Sequence, residues 1–219
     1  MIDYQILKSG SSGNCTIIKS EIMLDAGVPY KALLPYIKTL RMVLLTHAHK
    51  DHYNESTIAA LSRERPSLRF LCGNWLKNDL LKSGVFRCQI DRLNVHERAT
   101  YNSDSKAISG CTIIMEPAVH NVPNCAYKIW FPNGEKLFYA TDTNSLDGIR
   151  APEYSLYLVE SNYEDYEIQQ RIDAKIEKGE YAYEIQARQN HLSRQKADEW
   201  LSKNKGIFSQ IQYLHQHKE

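Results

Sequence analysis

Four metal-capable side chains packed into six positions constrain this chain more than any other stretch. His47, His49, Asp51 and His52 follow directly on Met42-Val43-Leu44-Leu45 and Thr46. The apolar run is too short for a helix and suits a strand buried on both faces. The polar cluster then sits on a loop at the carboxyl end of a rigid strand. Residues two apart on an extended segment point the same way, so His47 and His49 can grip one metal ion together. Asp51 and His52, past the bend, are free to serve a second ion. A polar loop after a core strand is the bland alternative, and a lone histidine would fit it. Three His and one Asp in six residues do not. Imidazole and carboxylate without thiolate suit zinc, and also manganese or iron.

The 219 residues are enough for one sizeable domain with a well-buried core, and a single domain over 1–219 is expected. Lys+Arg total 27 against 26 Asp+Glu, a net charge of +1, which argues against a globally basic nucleic-acid binder and leaves a local basic patch open. At 42% hydrophobic residues, disorder is not expected. No apolar run reaches membrane-spanning length, and the amino terminus shows no secretory signal. The five Cys (Cys15, Cys72, Cys88, Cys111, Cys125) are scattered and odd in number, so a disulfide framework is not expected and a reducing cytoplasm is the expected location.

The motif of an apolar strand ending in a metal-capable side chain recurs. Cys111–Pro117 leads to His120, and Lys136–Ala140 runs into Asp142. His191 precedes a helix that Ser193 caps. Five His (47, 49, 52, 120, 191) and two Asp (51, 142) can therefore converge on one edge of a sheet structure. The assignment is His47, His49 and His120 for the first ion. Asp51, His52 and His191 take the second, and Asp142 bridges the two together with a water or hydroxide. Asp51, His52 and Asp142 are also the catalytic candidates. Two ions roughly 3.5–4 Å apart would lower the pKa of a shared water and clamp attacking and leaving oxygens. Two divalent cations against two carboxylates and one hydroxide leave +1, which favours an anionic centre such as a phosphodiester.

Elsewhere, Tyr4–Lys8, Cys15–Lys19, Ile22–Asp25, Arg69–Cys72, Cys125–Phe131 and Tyr154–Glu160 read as strands. Lys31–Ile37, 55–63, a segment capped by Asn74, 164–178 and 194–203 read as helices. Asp91–Lys106 reads as an irregular polar loop, with His96 solvated, and the tail holding His215 and His217 as a mobile end. Two groups of strands, each followed by helices, predict two sheets packed face to face with helices outside, an α/β sandwich. The turn Ser9-Gly10-Ser11-Ser12-Gly13-Asn14 reads as a hairpin turn, with exposed N–H groups able to cradle an anion as the functional alternative. Tyr163, Tyr166, Tyr181 and Tyr183 could pack plainly or stack on bases.

Thr46-His47-Ala48-His49-Lys50-Asp51-His52 resembles the HxHxDH signature of the metallo-β-lactamase superfamily, and the likeness spans nearly the whole chain. Leu24-Asp25-Ala26-Gly27, His120, Ala140-Thr141-Asp142-Thr143 and His191 are similar to its other motifs in order. Ser9–Cys15, Glu160-Ser161-Asn162 and His191-Leu192-Ser193 resemble the YycJ-like branch, whose members are cytosolic and include DNA exonucleases. The resemblance implies a four-layer αββα sandwich with a di-zinc site at one edge. Asn144 stands where the branch commonly has Gly, and Tyr163 where it often has His. If that His helps protonate the leaving oxygen in relatives, this chain lacks it, and Tyr163 would replace it in part or serve as a stacking surface. The expected activity is a metal-dependent phosphodiesterase, foremost a nuclease such as a DNA exonuclease. The alternatives are a cyclic-nucleotide phosphodiesterase resembling the phage anti-Pycsar enzymes, then a thioester or lactam hydrolase. Two divalent ions, zinc before manganese, are the expected cofactors. Ser11, Asn14, Asn162 and Tyr163 are the substrate-binding candidates. The expected partner is a nucleic acid or nucleotide substrate, with no membrane; a homodimer is left open.

Overall fold

Met42, Val43, Leu44 and Leu45 form a strand that is buried throughout, as a run apolar on both faces requires. The computed structural model describes residues 1–101 and 110–216. In it Met42 and Leu44 face one apolar layer while Val43 and Leu45 face another. That alternation places the strand inside a sheet covered on both sides.

The first sheet holds, in spatial order, β1 (Tyr4–Lys8), β2 (Cys15–Ile18), β3 (Ile22–Leu24), β4 (Met42–Leu45), β5 (Arg69–Gly73) and β6 (Ile90–Leu93). β2 runs antiparallel to both β1 and β3, and β3 to β6 are parallel. The second sheet mirrors this plan. It comprises β7 (Arg98–Thr100), β8 (Thr112–Ala118), β9 (Asn124–Trp130), β10 (Lys136–Ala140), β11 (Leu156–Glu160) and β12 (Gln210–Leu214), ordered from twelve to seven. Here β10, β11 and β12 are the parallel strands.

One apolar layer fills the space between the sheets, with Leu44, Leu71, Met115, Tyr127, Leu137 and Leu158 among its members. Tyr127 spans the layer and donates its hydroxyl to the Leu45 carbonyl at 2.7 Å, so a buried polar atom is satisfied while the sheets are tied together. On the outside of the first sheet lie α1 (Glu55–Glu64) and α2 (Lys77–Lys82), held by Ile58, Leu61 and Leu80. On the outside of the second lies α5 (Arg194–Asn204), held by Ala197, Trp200 and Leu201. The expected αββα sandwich is what forms. Asn54 and Ser193 cap α1 and α5 as their positions predict, accepting from Thr57 N–H and Lys196 N–H. Two further helices, α3 (Asp165–Glu177) and α4 (Glu184–Asn190), pack on each other through Ile168, Ile172, Ala182 and Ala187.

Several expectations change. The polar stretch after Asp91 contains β7 and the end of β6; residues 102–106 of it lie outside the described residues. Asn74 does not cap α2; its side chain meets Asn94 and Arg92. The tail up to Leu214 is β12, the edge strand of the second sheet, and His217 lies outside the described residues. No helix among the described residues is long and apolar enough to cross a membrane.

Parallel strands deliver their carboxyl ends to the same edge, and loops there form a crevice. The residues after β4, β10, β11 and β12 meet at that edge.

Candidate metal centre

The loop after β4 enters the site under tight backbone control. Asp25 N–H bonds Leu44 O, and Ala26 N–H bonds His52 O. A Cβ on Gly27 would lie 1.6 Å from Asp51 O, so only glycine permits the two loops to approach this closely.

His47, His49, His120 and Asp142 bring one ligand atom each within 4.8 Å of one another. His47 Nε2 lies 3.4 Å from Asp142 Oδ2, His120 Nε2 lies 3.7 Å from the same oxygen, and His49 Nδ1 lies 3.2 Å from His120 Nε2. Ligands about 2.0–2.1 Å from a tetrahedral zinc sit about 3.4 Å apart, so these separations are those of a coordination shell. His120 places Nδ1 3.0 Å from Asn190 O; a carbonyl only accepts, so Nδ1 carries the proton and Nε2 turns a lone pair inward. Burial, with the neighbouring imidazoles adding to it, pushes His49 down and His120 to about 4, against the pull of Asp142. Both are therefore neutral at pH 7, as a metal-binding imidazole must be. His47 Nδ1 meets Thr46 Oγ1 at 2.9 Å, and its Nε2 is buried with no hydrogen-bond partner. An orphaned nitrogen in this position is costly unless a cation takes its lone pair, so the donor set fits a metal ion.

Asp51, His52 and Asp142 form a second such group. His52 donates Nδ1–H to Asp25 at 2.8 Å and keeps Nε2 3.3 Å from Asp142 and 3.5 Å from Asp51. Asp25 is fully buried and also accepts from Thr46 N–H, Thr46 Oγ1–H and the Tyr139 hydroxyl. Asn14 Nδ2 lies 2.7 Å from His52 Nε2 and 3.2 Å from Asp51 Oδ2. Asp142, the member common to all groups, adopts a left-handed backbone (φ 50°), and its carbonyl accepts from Asn124 at 2.7 Å. That conformation is strained for a residue with a Cβ and persists because the surroundings hold it. Burial raises the Asp142 carboxyl, but His52, His215 and His47 together bring it well below the usual range, so it is ionised.

A third group contains Asp142, Glu160, His191 and His215. Glu160 ends β11, is fully buried, and receives His191 Nδ1 at 2.6 Å, His215 Nδ1 at 3.0 Å and Thr143 N–H at 2.9 Å. His215 Nδ1 also lies 2.9 Å from Asp142 Oδ1. Burial lowers the His215 pKa, but its bonds to Asp142 and Glu160 overcome this and raise it to about 10. A cleft of about 810 Å³ opens over the three groups, lined by the Ser9–Ser12 turn, His49, Asp51, His120, Asp142, His191 and His215 among others.

Residues 21–203 match the family described as the beta-lactamase superfamily domain. The chain belongs to the beta-lactamase superfamily. Its fold is that of the metallo-β-lactamase fold protein YhfI from Bacillus subtilis, with a TM-score of 0.72 at 14% identity over 100% of this chain and 88% of that one. The short form of human tRNase Z is similar too, with a TM-score of 0.71 at 12% identity over 100% and 93%. So is a diphosphatase of the PhnP family, with a TM-score of 0.64 at 14% identity over 99% and 87%. At these identities the likeness establishes the fold. A search of curated proteins gives no match.

Within this superfamily fold, the structure gathers His47, His49, His120 and Asp142 as the sequence suggested, and Asp51 with His52 beside the same Asp142. It does not bring His191 into the Asp51–His52 group; His191 sits on Glu160 instead. Ser11 and Asn162 line the cleft. Asn14 does not: it is buried, and its amide is engaged by Gly10, Asp51 and His52, so it braces the loop that carries those two side chains. Tyr163 lines an adjoining pocket, its hydroxyl on the Arg188 and His191 carbonyls. The reading of His215 as a mobile end is overturned, because it is buried at the centre of the third group. Sequence reasoning missed the roles of Asp25 and Glu160 as well. Asp25 and Glu160 do follow the apolar runs Ile22–Leu24 and Leu156–Val159, but nothing local in the sequence ties either carboxylate to its histidine.

Proposed function

We propose that the protein is a metal-dependent phosphodiesterase acting on nucleic acid or nucleotides, with a nuclease as the leading case. The observation that carries the reading is the three-imidazole group around Asp142, in which burial keeps His49 and His120 neutral and the buried His47 Nε2 makes no hydrogen bond. His47, His49, His120 and Asp142 would hold one ion. Asp51, His52 and Asp142 would hold a second, with His215 rather than His191 completing the set because His215 contacts Asp142 directly. Zinc is the first expectation from the imidazole-rich donors, manganese the second. Bound there, divalent ions supply Lewis acidity, an ionised water at neutral pH and charge neutralisation for phosphate oxygens. The chain supplies the rest. Asp25 fixes the His52 tautomer, Asn14 braces the Asp51 loop, and the Ser9–Ser12 turn lines the cleft near Asp51. His191, oriented by Glu160 and open to the cleft, is placed to pass a proton to the leaving oxygen. That a tRNase Z and a diphosphatase share the fold supports phosphorus-ester chemistry, and the motif likeness to the YycJ-like branch makes a DNA end the first polymer to try.

The test is a panel: bis-p-nitrophenyl phosphate, linear DNA, RNA, cyclic nucleotides, nitrocefin and a thioester, each with and without chelator. Chelator-sensitive hydrolysis of the diesters is expected. Turnover confined to nitrocefin or the thioester would overturn the reading.

A further inference from the structure

A second pocket, about 210 Å³, lies between α3 and α4 and shares Asn162, Tyr183, Ala187 and Gln216 with the metal cleft. One ligand can therefore occupy both. Its other walls include Tyr163, Ile168 and Glu184. Tyr183 is 47% exposed, and Lys175 Nζ sits 3.9 Å from its ring centroid. The same ammonium bonds Glu184 Oε1 at 2.7 Å, which fixes ring, cation and carboxylate relative to one another. Glu184 is only 4% exposed, and its Oε2 is buried with no hydrogen-bond partner. An orphaned carboxylate oxygen asks for a donor.

We infer that this pocket is a nucleobase subsite, taking the base beside the scissile phosphate, with Tyr183 as its stacking surface and Glu184 Oε2 accepting a hydrogen bond from an exocyclic amino group. The inference rests on the nucleotide-diester reading above and adds a specificity to it. Flat aromatic walls with one fixed acceptor match a base face and its amino edge. Phosphate is a poorer match, because Glu164, Glu167 and Glu184 outnumber Arg171 and Arg194 among the lining residues. Lys175 holds Glu184 ionised, its carboxyl below the usual range against the upward push of burial, so it can only accept.

The test is calorimetric binding of ribose 5-phosphate, purine riboside 5′-monophosphate and AMP to the metal-loaded protein. These add first the ring, then the amino group. Stacking is expected to tighten binding about tenfold between the first two, and the amino group to tighten it further. Tyr183→Ala should erase the first step and Tyr183→Phe should keep it; Glu184→Gln should erase the second. Equal affinities for all three ligands, or steps that survive Tyr183→Ala and Glu184→Gln, would overturn the subsite. Hydrolysis of bis-p-nitrophenyl phosphate, which carries no base, separates the two claims. Turnover without any base preference removes the subsite and leaves the phosphodiesterase standing. No turnover removes the phosphodiesterase, and the subsite with it.

Discussion

Asp142 stands between two histidine groups that use the same side chains to different ends. On one side His47, His49 and His120 face each other nitrogen to nitrogen, and burial keeps His49 and His120 neutral. On the other, His191 and His215 turn Nδ1 to the buried Glu160, and the carboxylates raise the His215 pKa to about 10. The difference lies in the neighbours, not in the imidazole. Surrounded by its own kind, a buried histidine is a lone pair waiting for a cation. Set against a buried carboxylate, it is fixed in orientation and carries a proton that a cation would have to displace. Both kinds lie on one edge because β4, β8, β10, β11 and β12 all end there, with His191 brought to it at the end of α4.

The largest expected effect comes from the loop after β4, which serves both ions. Asp51→Ala or His49→Ala should cut diester hydrolysis by about 10³-fold or more, since the ionised water is lost. Circular dichroism should show the fold intact, because both residues lie on the loop beyond β4. Unchanged turnover in both variants would break the comparison. Next comes the carboxylate side. Glu160→Gln leaves the shape but weakens the hold on His191 and His215, and kcat should fall by about 10²-fold, with the first ion still bound by titration. A loss of both ions would show that the two groups are one. Smaller again is Asp25→Asn, behind His52, expected to lower metal affinity or activity about 10-fold to 100-fold and to reduce stability by about 1–3 kcal/mol through its broken hydrogen bonds.

The smallest effect sits outside both groups. Lys19 Nζ bonds Glu135 at 2.6 Å, and chiefly through this bond the Glu135 carboxyl falls to about 2. A depressed carboxylate stabilises the fold above its unfolded pKa of about 4.3, and that stability is lost as pH falls through the folded value. Glu135→Gln should therefore cost under about 1 kcal/mol at pH 6, less on approaching pH 3, with no change in turnover. Thermal midpoints across that range check it. A deficit that grows toward acid would contradict the assignment.

How much of this was legible in the sequence follows the same division. The β4 loop was readable because its metal-capable side chains are contiguous and follow an apolar run. His120 and Asp142 were readable because β8 and β10 repeat that pattern. Strands β6, β7 and β12 read Ile-Asp-Arg-Leu, Arg-Ala-Thr and Gln-Ile-Gln-Tyr-Leu; none presents a continuous apolar run, and β12 lies at a sheet edge and is only half-buried. Without β12, His215 looked like part of a frayed tail. Asn14 was misplaced for a related reason. An Asn in a Gly-Ser turn can face substrate or brace a neighbouring loop, and only tertiary packing against Asp51 and His52 decides which. Asp25 and Glu160 act through histidines distant in sequence, which no local pattern reports.

Metal titration of the folded protein tests the central claim most directly. Two zinc ions per chain are expected, falling to one in His215→Ala and to one or none in His49→Ala. A folded wild-type chain that binds no zinc, or a His215→Ala variant that keeps both ions with unaltered affinity, would contradict the account.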